Sequence, residues 1–159
     1  MKRNPFCLSV PTAVDADCSD QAKTIASVCH LGQWYNGGPY ITHPAGVADM
    51  VKLNGGTIHQ ICAAWLHDVV EDTDYMTADR LRELGVSPVV IELVGVLTRT
   101  NYETYDEYIA RVARHPEAIM IKLADLEYNL SHNPKEGLRT RYEMAVAQLR
   151  ATISGKEKA

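Results

Sequence analysis

Apolar residues in this chain recur at three- and four-residue steps, in segments broken by Gly, Pro and Asn, and no convincing stretch alternates apolar with polar. That period lines one stripe of a helix and does not suit a strand. Helices that each carry an apolar stripe must bury it against one another, so an all-α bundle with short connections is expected. At 159 residues the chain is long enough for one domain with a sizeable core.

The spacing predicts a first helix from Asp17 to Trp34, where Ala22, Ile25, Ala26, Cys29 and His30 keep the helical step. Asn36-Gly37-Gly38-Pro39 is expected to end it in a tight loop. Thr42 is expected to cap the next helix, with Pro44 in its first turn and Asn54-Gly55-Gly56 at its end. A third helix is expected from about Thr57 to Asp72, then shorter ones over Ala78–Leu84, Pro88–Leu97 and Tyr105–Ala113. Two more should run from Pro116 to about His132 and from Glu136 to Thr152. Residues 1–16, with Pro5 and Pro11, read as an irregular lead-in, 17–153 as the domain and 154–159 as a frayed end.

Composition excludes several classes. Hydrophobic residues at 46% and charged residues at 23% are ordinary for a soluble globular domain. No apolar run reaches the roughly 18 residues a membrane span needs. Met1 to Ser19 lacks the charged-then-apolar pattern of a signal peptide, so a cytoplasmic protein without membrane contact is expected. A net charge of −4 argues against binding a nucleic-acid polymer but not against a small phosphorylated substrate. Cys7, Cys18, Cys29 and Cys62 form no C-x-x-C pair and read as reduced apolar fillers.

The chemistry concentrates at His67-Asp68-Val69-Val70-Glu71-Asp72, directly behind the apolar stretch Ile58 to Leu66. Burying unpaired charge costs several kcal/mol per group, so the cluster needs a counter-charge, for which a divalent ion is suited. On a continuous helix His67, Asp68 and Glu71 would project together above Ala63 and Ala64. A second polar stripe, Lys122, Asp125, Asn129 and His132, rides on an otherwise apolar helix, where Asp125 also needs a partner. His43, just after a glycine loop, is held where a helix begins. His43, His67, Asp68 and Asp125 are therefore the expected metal ligands. Two imidazoles and two carboxylates with no thiolate favour Mn2+, Fe2+ or Mg2+-like chemistry over structural zinc. Arg99 and Lys122 are the candidates for binding phosphate. His30 reads as a core or loop histidine, and Tyr102, Tyr105 and Tyr108 as packing residues.

Pro39-Tyr40-Ile41-Thr42-His43-Pro44, then His67-Asp68-Val69-Val70-Glu71-Asp72-Thr73, then Lys122-Leu123-Ala124-Asp125 resemble motifs of the HD-domain metal phosphohydrolases. Within that superfamily they look most like the hydrolase domain of RelA/SpoT-type enzymes and the stand-alone small alarmone hydrolases. The resemblance spans roughly Ala22 to Asn133. It implies a single-domain HD-type bundle of roughly seven to eight helices. It also implies removal of pyrophosphate from the 3′ position of guanosine tetra- or pentaphosphate, usually with Mn2+. Carried over by motif, Glu71 and Asp72 would position or deprotonate the attacking water, and Asn129 and Lys122 would contact substrate.

The sequence departs from this family at one place. After His30-x-x-Gln33 the family usually has Arg-Lys, whereas this chain has Trp34 and Tyr35. An aromatic pair can stack on a base, and these two are expected to meet the nucleotide, but they cannot neutralise phosphate. Two other readings stay open: an HD-type hydrolase of a different nucleotide or phosphoester, and a nucleotide-binding sensor without catalysis. The intact Glu71-Asp72 pair weighs against the sensor. The expected partner is a small nucleotide; nothing in the sequence specifies an oligomeric state.

Overall fold

The structure, a computed structural model, describes residues 13–156. Residues 1–12 and 157–159 lie outside it, and with them Cys7 and most of the expected lead-in. Eight helices make up the fold among the described residues: α1 (Ala13–Cys29), α2 (Thr42–Leu53), α3 (Ile58–Leu66), α4 (Ala78–Glu83), α5 (Pro88–Leu97), α6 (Tyr105–Val112), α7 (Pro116–Ser131) and α8 (Glu136–Lys156). The all-α expectation is met. Between α1 and α2 stands a two-stranded hairpin, β1 (Trp34–Tyr35) and β2 (Gly38–Pro39).

α3 is the central element and packs against α1, α2, α5 and α7. Its sequence explains its place, since Cys62, Ala63, Ala64 and Leu66 are all buried and the two alanines let neighbouring backbones come close. Thr57 and Gln60 close its first turn in a reciprocal capping box. Gln60 Nε2 then donates to the Glu117 carbonyl at 2.9 Å, tying α3 to α7. The core around α3 includes Val47, Val51, Val69, Val94, Ile109, Ile119, Ile121, Leu126 and Leu149.

Gly46 sets how closely α2 approaches α7. A Cβ built there would lie 1.9 Å from Cε2 of the Tyr128 ring. That ring has little freedom, because its hydroxyl donates to the Thr42 carbonyl at 3.1 Å and its face lies 4.3 Å from the His132 ring. Gly46→Ala is therefore expected to destabilise the protein by about 1–2 kcal/mol, the overpacking cost exceeding the gain in helix propensity. Urea unfolding of the variant checks this.

Several boundaries differ from the sequence expectation. α1 starts at Ala13 rather than Asp17 and ends at Cys29 rather than Trp34. The chain after it turns through Gly32, whose φ is +82°. The expected loop at Asn36-Gly37 is a hairpin turn, with Trp34 opposite Pro39 and Tyr35 opposite Gly38. Asn36 and Gly37 have φ of 48° and 80°, as a two-residue hairpin turn requires. Thr42 does not cap α2 but begins it, and its hydroxyl donates to the Pro39 carbonyl at 2.9 Å. α8 continues past Thr152 to Lys156.

The most consequential difference is in α3, which ends at Leu66 and not at Asp72. His67 Nδ1 lies 2.8 Å from the Ala64 carbonyl, the acceptor a continuing helix would need. Val69 N donates instead to Leu66 O at 3.2 Å, a tighter turn. The acidic run thus coils off the end of the helix instead of lying along its side.

Candidate active site

The start of α2, the end of α3 and the middle of α7 converge on one point. His43 sits in the first turn of α2, His67 and Asp68 follow α3, and Asp125 lies midway along α7. His43, His67 and Asp125 are buried. The two Nε2 atoms of His43 and His67 face each other at 3.2 Å. Asp68 Oδ2 lies 3.3 Å from the first and 3.0 Å from the second. Asp125 Oδ1 lies 3.2 Å and 3.7 Å from the same atoms.

His43, His67 and Asp68 form a group that could hold a divalent ion, and Asp125 adjoins it. Groups bound to one ion at about 2.1 Å keep about 3.0–3.4 Å between neighbouring donor atoms. With Nδ1 hydrogen-bonded to the Ala64 carbonyl, a neutral His67 presents the lone pair of Nε2 inward, the form that ligates metals. Burial opposes charge on His67, but Asp68 and Asp125 outweigh it and hold the imidazole well above its ordinary pKa. Despite their own burial, both carboxylates are held below theirs, Asp68 chiefly by His67 and Asp125 chiefly by Lys122.

Asp125 organises a line of side chains on α7. Lys122 Nζ donates to Asp125 Oδ2 at 2.6 Å, and Asn129 Nδ2 donates to Asp125 Oδ1 at 2.7 Å. Tyr35 on β1 in turn donates to Asn129 Oδ1 at 2.6 Å. Burial and then the Asp125 charge push the Tyr35 hydroxyl up to about 12, which keeps it a donor. Lys122 is thus largely occupied with Asp125 and with the face of Tyr108, 5.1 Å away.

On the other side Tyr40 joins the acidic run. Its hydroxyl lies 2.8 Å from Asp68 Oδ2 and 2.7 Å from Asp72 Oδ2. The Tyr40 ring stacks on His30 at 4.5 Å. His30 Nδ1 meets Gln33 Oε1 at 2.7 Å, and Gln33 Nε2 donates to the Asp72 carbonyl at 3.2 Å. His30 therefore supports the site from the core, in keeping with the sequence reading. Tyr40 stands within the Pro39–Pro44 motif, but helical spacing alone does not mark it as a site residue. Tyr40→Phe keeps the stack and removes the bridge. At a divalent-ion site this is expected to weaken ion binding about 10–100-fold, the usual cost of losing a partner of a metal ligand, measured by calorimetric titration.

A cleft of about 340 Å3 opens over these groups, lined by Tyr35, Tyr40, His43, Asp68, Glu71, Asp72, Arg99, Lys122, Asp125 and Asn129 among others. Burial raises the Glu71 carboxyl above its ordinary pKa, against the Arg99 amide, which donates to Glu71 Oε2 at 3.0 Å. Burial and then the charge of Asp68 raise Asp72. Carboxylates shifted upward in this way are better proton acceptors near neutrality.

Trp34 is the sequence candidate that the fold leaves out. Neighbouring strand residues face opposite ways, so the hairpin that turns Tyr35 toward Asn129 leaves Trp34 71% exposed and outside the cleft lining. Sequence reasoning also missed Leu138, Arg141 and Tyr142 of α8, which complete the cleft wall. Nothing in their local pattern marks them, since only the packing of α8 on α7 and α6 brings them there. Among the tyrosines read as packing groups, Tyr108 is buried and Tyr105 half-buried, but Tyr102 is fully exposed.

Comparison with known proteins gives a consistent picture. No protein-family model matches the chain. It is 33% identical over 119 residues to a GTP pyrophosphokinase of Streptomyces coelicolor, a match covering 70% of this chain and 14% of that protein. It is 34% identical over 116 residues to the guanosine-3′,5′-bis(diphosphate) 3′-pyrophosphohydrolase of Haemophilus influenzae, covering 67% and 17% respectively. To the bifunctional (p)ppGpp synthase/hydrolase SpoT of Escherichia coli it is 32% identical over 120 residues, covering 69% and 17%. The chain therefore spans a small part of the length of these relatives. A solved structure described as a metazoan ortholog of SpoT that hydrolyzes ppGpp superposes with a TM-score of 0.72 at 26% identity. That match covers 92% of this chain and 89% of the other.

Proposed function

We infer, from the premise that the chain belongs to the HD-type hydrolase-domain family of the RelA and SpoT proteins, that it removes pyrophosphate from the 3′ position of guanosine tetraphosphate or pentaphosphate. The observation that supports this reading is the convergence of His43, His67 and Asp68, whose donor atoms lie 3.0–3.3 Å apart, with Asp125 Oδ1 3.2 Å from His43 and 3.7 Å from His67. Those residues would hold a divalent ion, with Mn2+ favoured by two imidazoles and two carboxylates. When bound, such an ion acidifies water and draws charge from phosphoryl oxygens.

The protein's own groups supply the rest. Glu71 and Asp72, with carboxyls raised in pKa, are suited to orient a water and accept its proton. Tyr40 fixes Asp72 relative to Asp68, so the proton acceptor and the ion ligand move as one unit. Tyr35 and Asn129 fix Asp125 from the opposite side. The Tyr35 ring remains on the cleft wall, where a base can stack.

The test is a panel of nucleotides and phosphoesters incubated with the protein and Mn2+, with products identified by chromatography. Guanosine tetraphosphate is expected to yield GDP and pyrophosphate. Turnover of another nucleotide with guanosine tetraphosphate untouched would move the reading to a different substrate, the alternative that the missing Arg-Lys pair raises. Tight nucleotide binding without turnover in any metal would mean a sensor.

A further inference from the structure

Glu71 stands on the coil beyond α3, so no helix fixes its carboxylate. Among the described residues, the hydrogen-bond partner of that carboxylate is the Arg99 amide, at 3.0 Å. Arg99 lies in the connection between α5 and α6, where Arg99, Thr100, Asn101 and Tyr102 are all exposed. A backbone amide on an exposed connection can aim a carboxylate only if the connection is itself held.

Arg111, in the last turn of α6, holds it. Its Nε donates to Glu103 Oε2 at 3.0 Å and its Nη2 to Glu103 Oε1 at 2.6 Å, a two-point grip on one carboxylate. Nη2 also donates to the Thr98 carbonyl at 3.0 Å, and Nη1 to the Val96 carbonyl at 2.8 Å. Carbonyls at the end of a helix lack partners within it, so this guanidinium closes the end of α5 while gripping the connection on both sides of Arg99. Glu103 passes the grip along, since its Oε1 also accepts the Thr100 amide at 2.9 Å. The Arg99 amide is thus fixed between Thr98 and Thr100, each tied to the same guanidinium directly or through Glu103. The guanidinium carbon rests 5.4 Å from the centroid of the Tyr108 ring, whose hydroxyl donates to the Leu97 carbonyl. Arg111 itself is not among the residues that line the cleft.

We propose that Arg111 is a positioning residue. Through Glu103 and the connection from Thr98 to Glu103 it sets the Arg99 amide, and through that amide it aims the Glu71 carboxylate. This rests on the hydrolase reading for the task of Glu71, but not for the fastening of the connection.

The test compares Arg111→Gln and Arg111→Lys in the full chain, each alone and combined with Glu71→Gln. With Mn2+, Arg111→Gln is expected to lower the single-turnover rate on guanosine tetraphosphate about ten- to a hundredfold, the scale of a misplaced catalytic group. In the Glu71→Gln background the same change should cost less than about twofold, because a residue that acts through Glu71 has nothing left to position. Arg111→Lys, which keeps the charge without the planar fork, should recover part of the rate. Hydrogen exchange, read without metal or substrate, should be about tenfold faster at the Arg99 amide in Arg111→Gln, with the amides of α3 and α7 exchanging as in the wild type. If Arg111→Gln loosens those helices as well, Arg111→Lys carries the same comparison. Unchanged exchange at Arg99 would overturn the proposal. So would a rate loss equally large with and without Glu71→Gln, which would mark a general effect on the fold. If the wild type turns over no guanosine tetraphosphate, the hydrolase reading fails, and exchange at Arg99 still decides whether Arg111 fastens the amide that meets Glu71.

Discussion

On the proposed function, Asp68→Ala is expected to abolish divalent-ion binding and to lower hydrolysis of guanosine tetraphosphate by about a hundred- to a thousandfold, the scale of losing a main electrostatic element of a site. Asp68 Oδ2 is the atom on which the site is hinged, lying within 3.3 Å of both imidazole Nε2 atoms and 2.8 Å from the Tyr40 hydroxyl. Its loss removes one donor and leaves the two imidazoles facing each other with only Asp125 between them and their charge. The fold should survive, because Asp68 lies beyond the end of α3 and Tyr40 keeps its contact with Asp72. Metal analysis, kinetics and a melting curve on the same preparation test this together. A variant that keeps its metal and its turnover would remove Asp68 from the site.

Asp125→Ala is expected to act on stability as well as on activity. The Lys122 side chain is 13% exposed and the Asp125 side chain 7%, and Asp125 holds the ammonium at 2.6 Å. Deleting the carboxylate leaves Lys122 charged and enclosed beside the Tyr108 ring. Stranding a buried charge in this way costs about 3–5 kcal/mol, readable by urea unfolding. Asn129 also loses the acceptor of its side-chain amide. The paired replacement Lys122→Met with Asp125→Leu should recover most of the stability, because it removes both charges and keeps the volume apolar. It should not recover metal binding. Recovery of stability without metal would separate the structural role of Asp125 from its role as a ligand.

The two expectations depend on different parts of the sequence record. The residues brought together at the centre were legible because the motifs fix their identities and the helical spacing fixes their faces. Lys122, Asp125 and Asn129 lie on one stripe by spacing, and in the fold they are joined by hydrogen bonds. Asn36-Gly37 is a strong hairpin marker, and the strand on each side is two residues long. Tyr40 stood in view beside His43, but its role depends on two carboxylates, one 28 and one 32 residues away.

The end of α3 was not legible. The apolar step continues through Val69, which is fully buried, so the pattern alone extends the helix. Where the helix stops, one imidazole nitrogen meets the Ala64 carbonyl, a contact that periodicity does not encode.

By itself the sequence determined that the chain is a helical bundle and pointed to most of the polar groups that meet in the cleft, because periodicity and charge burial are local properties. Only the tertiary structure decided how those groups are divided. It coiled the acidic run off α3, turned Tyr35 inward and Trp34 outward, committed Lys122 to Asp125, and fastened the connection that carries Arg99 to Arg111. Each of these depends on which acceptor or charge a side chain meets in the packed molecule, and spacing along the chain does not specify that.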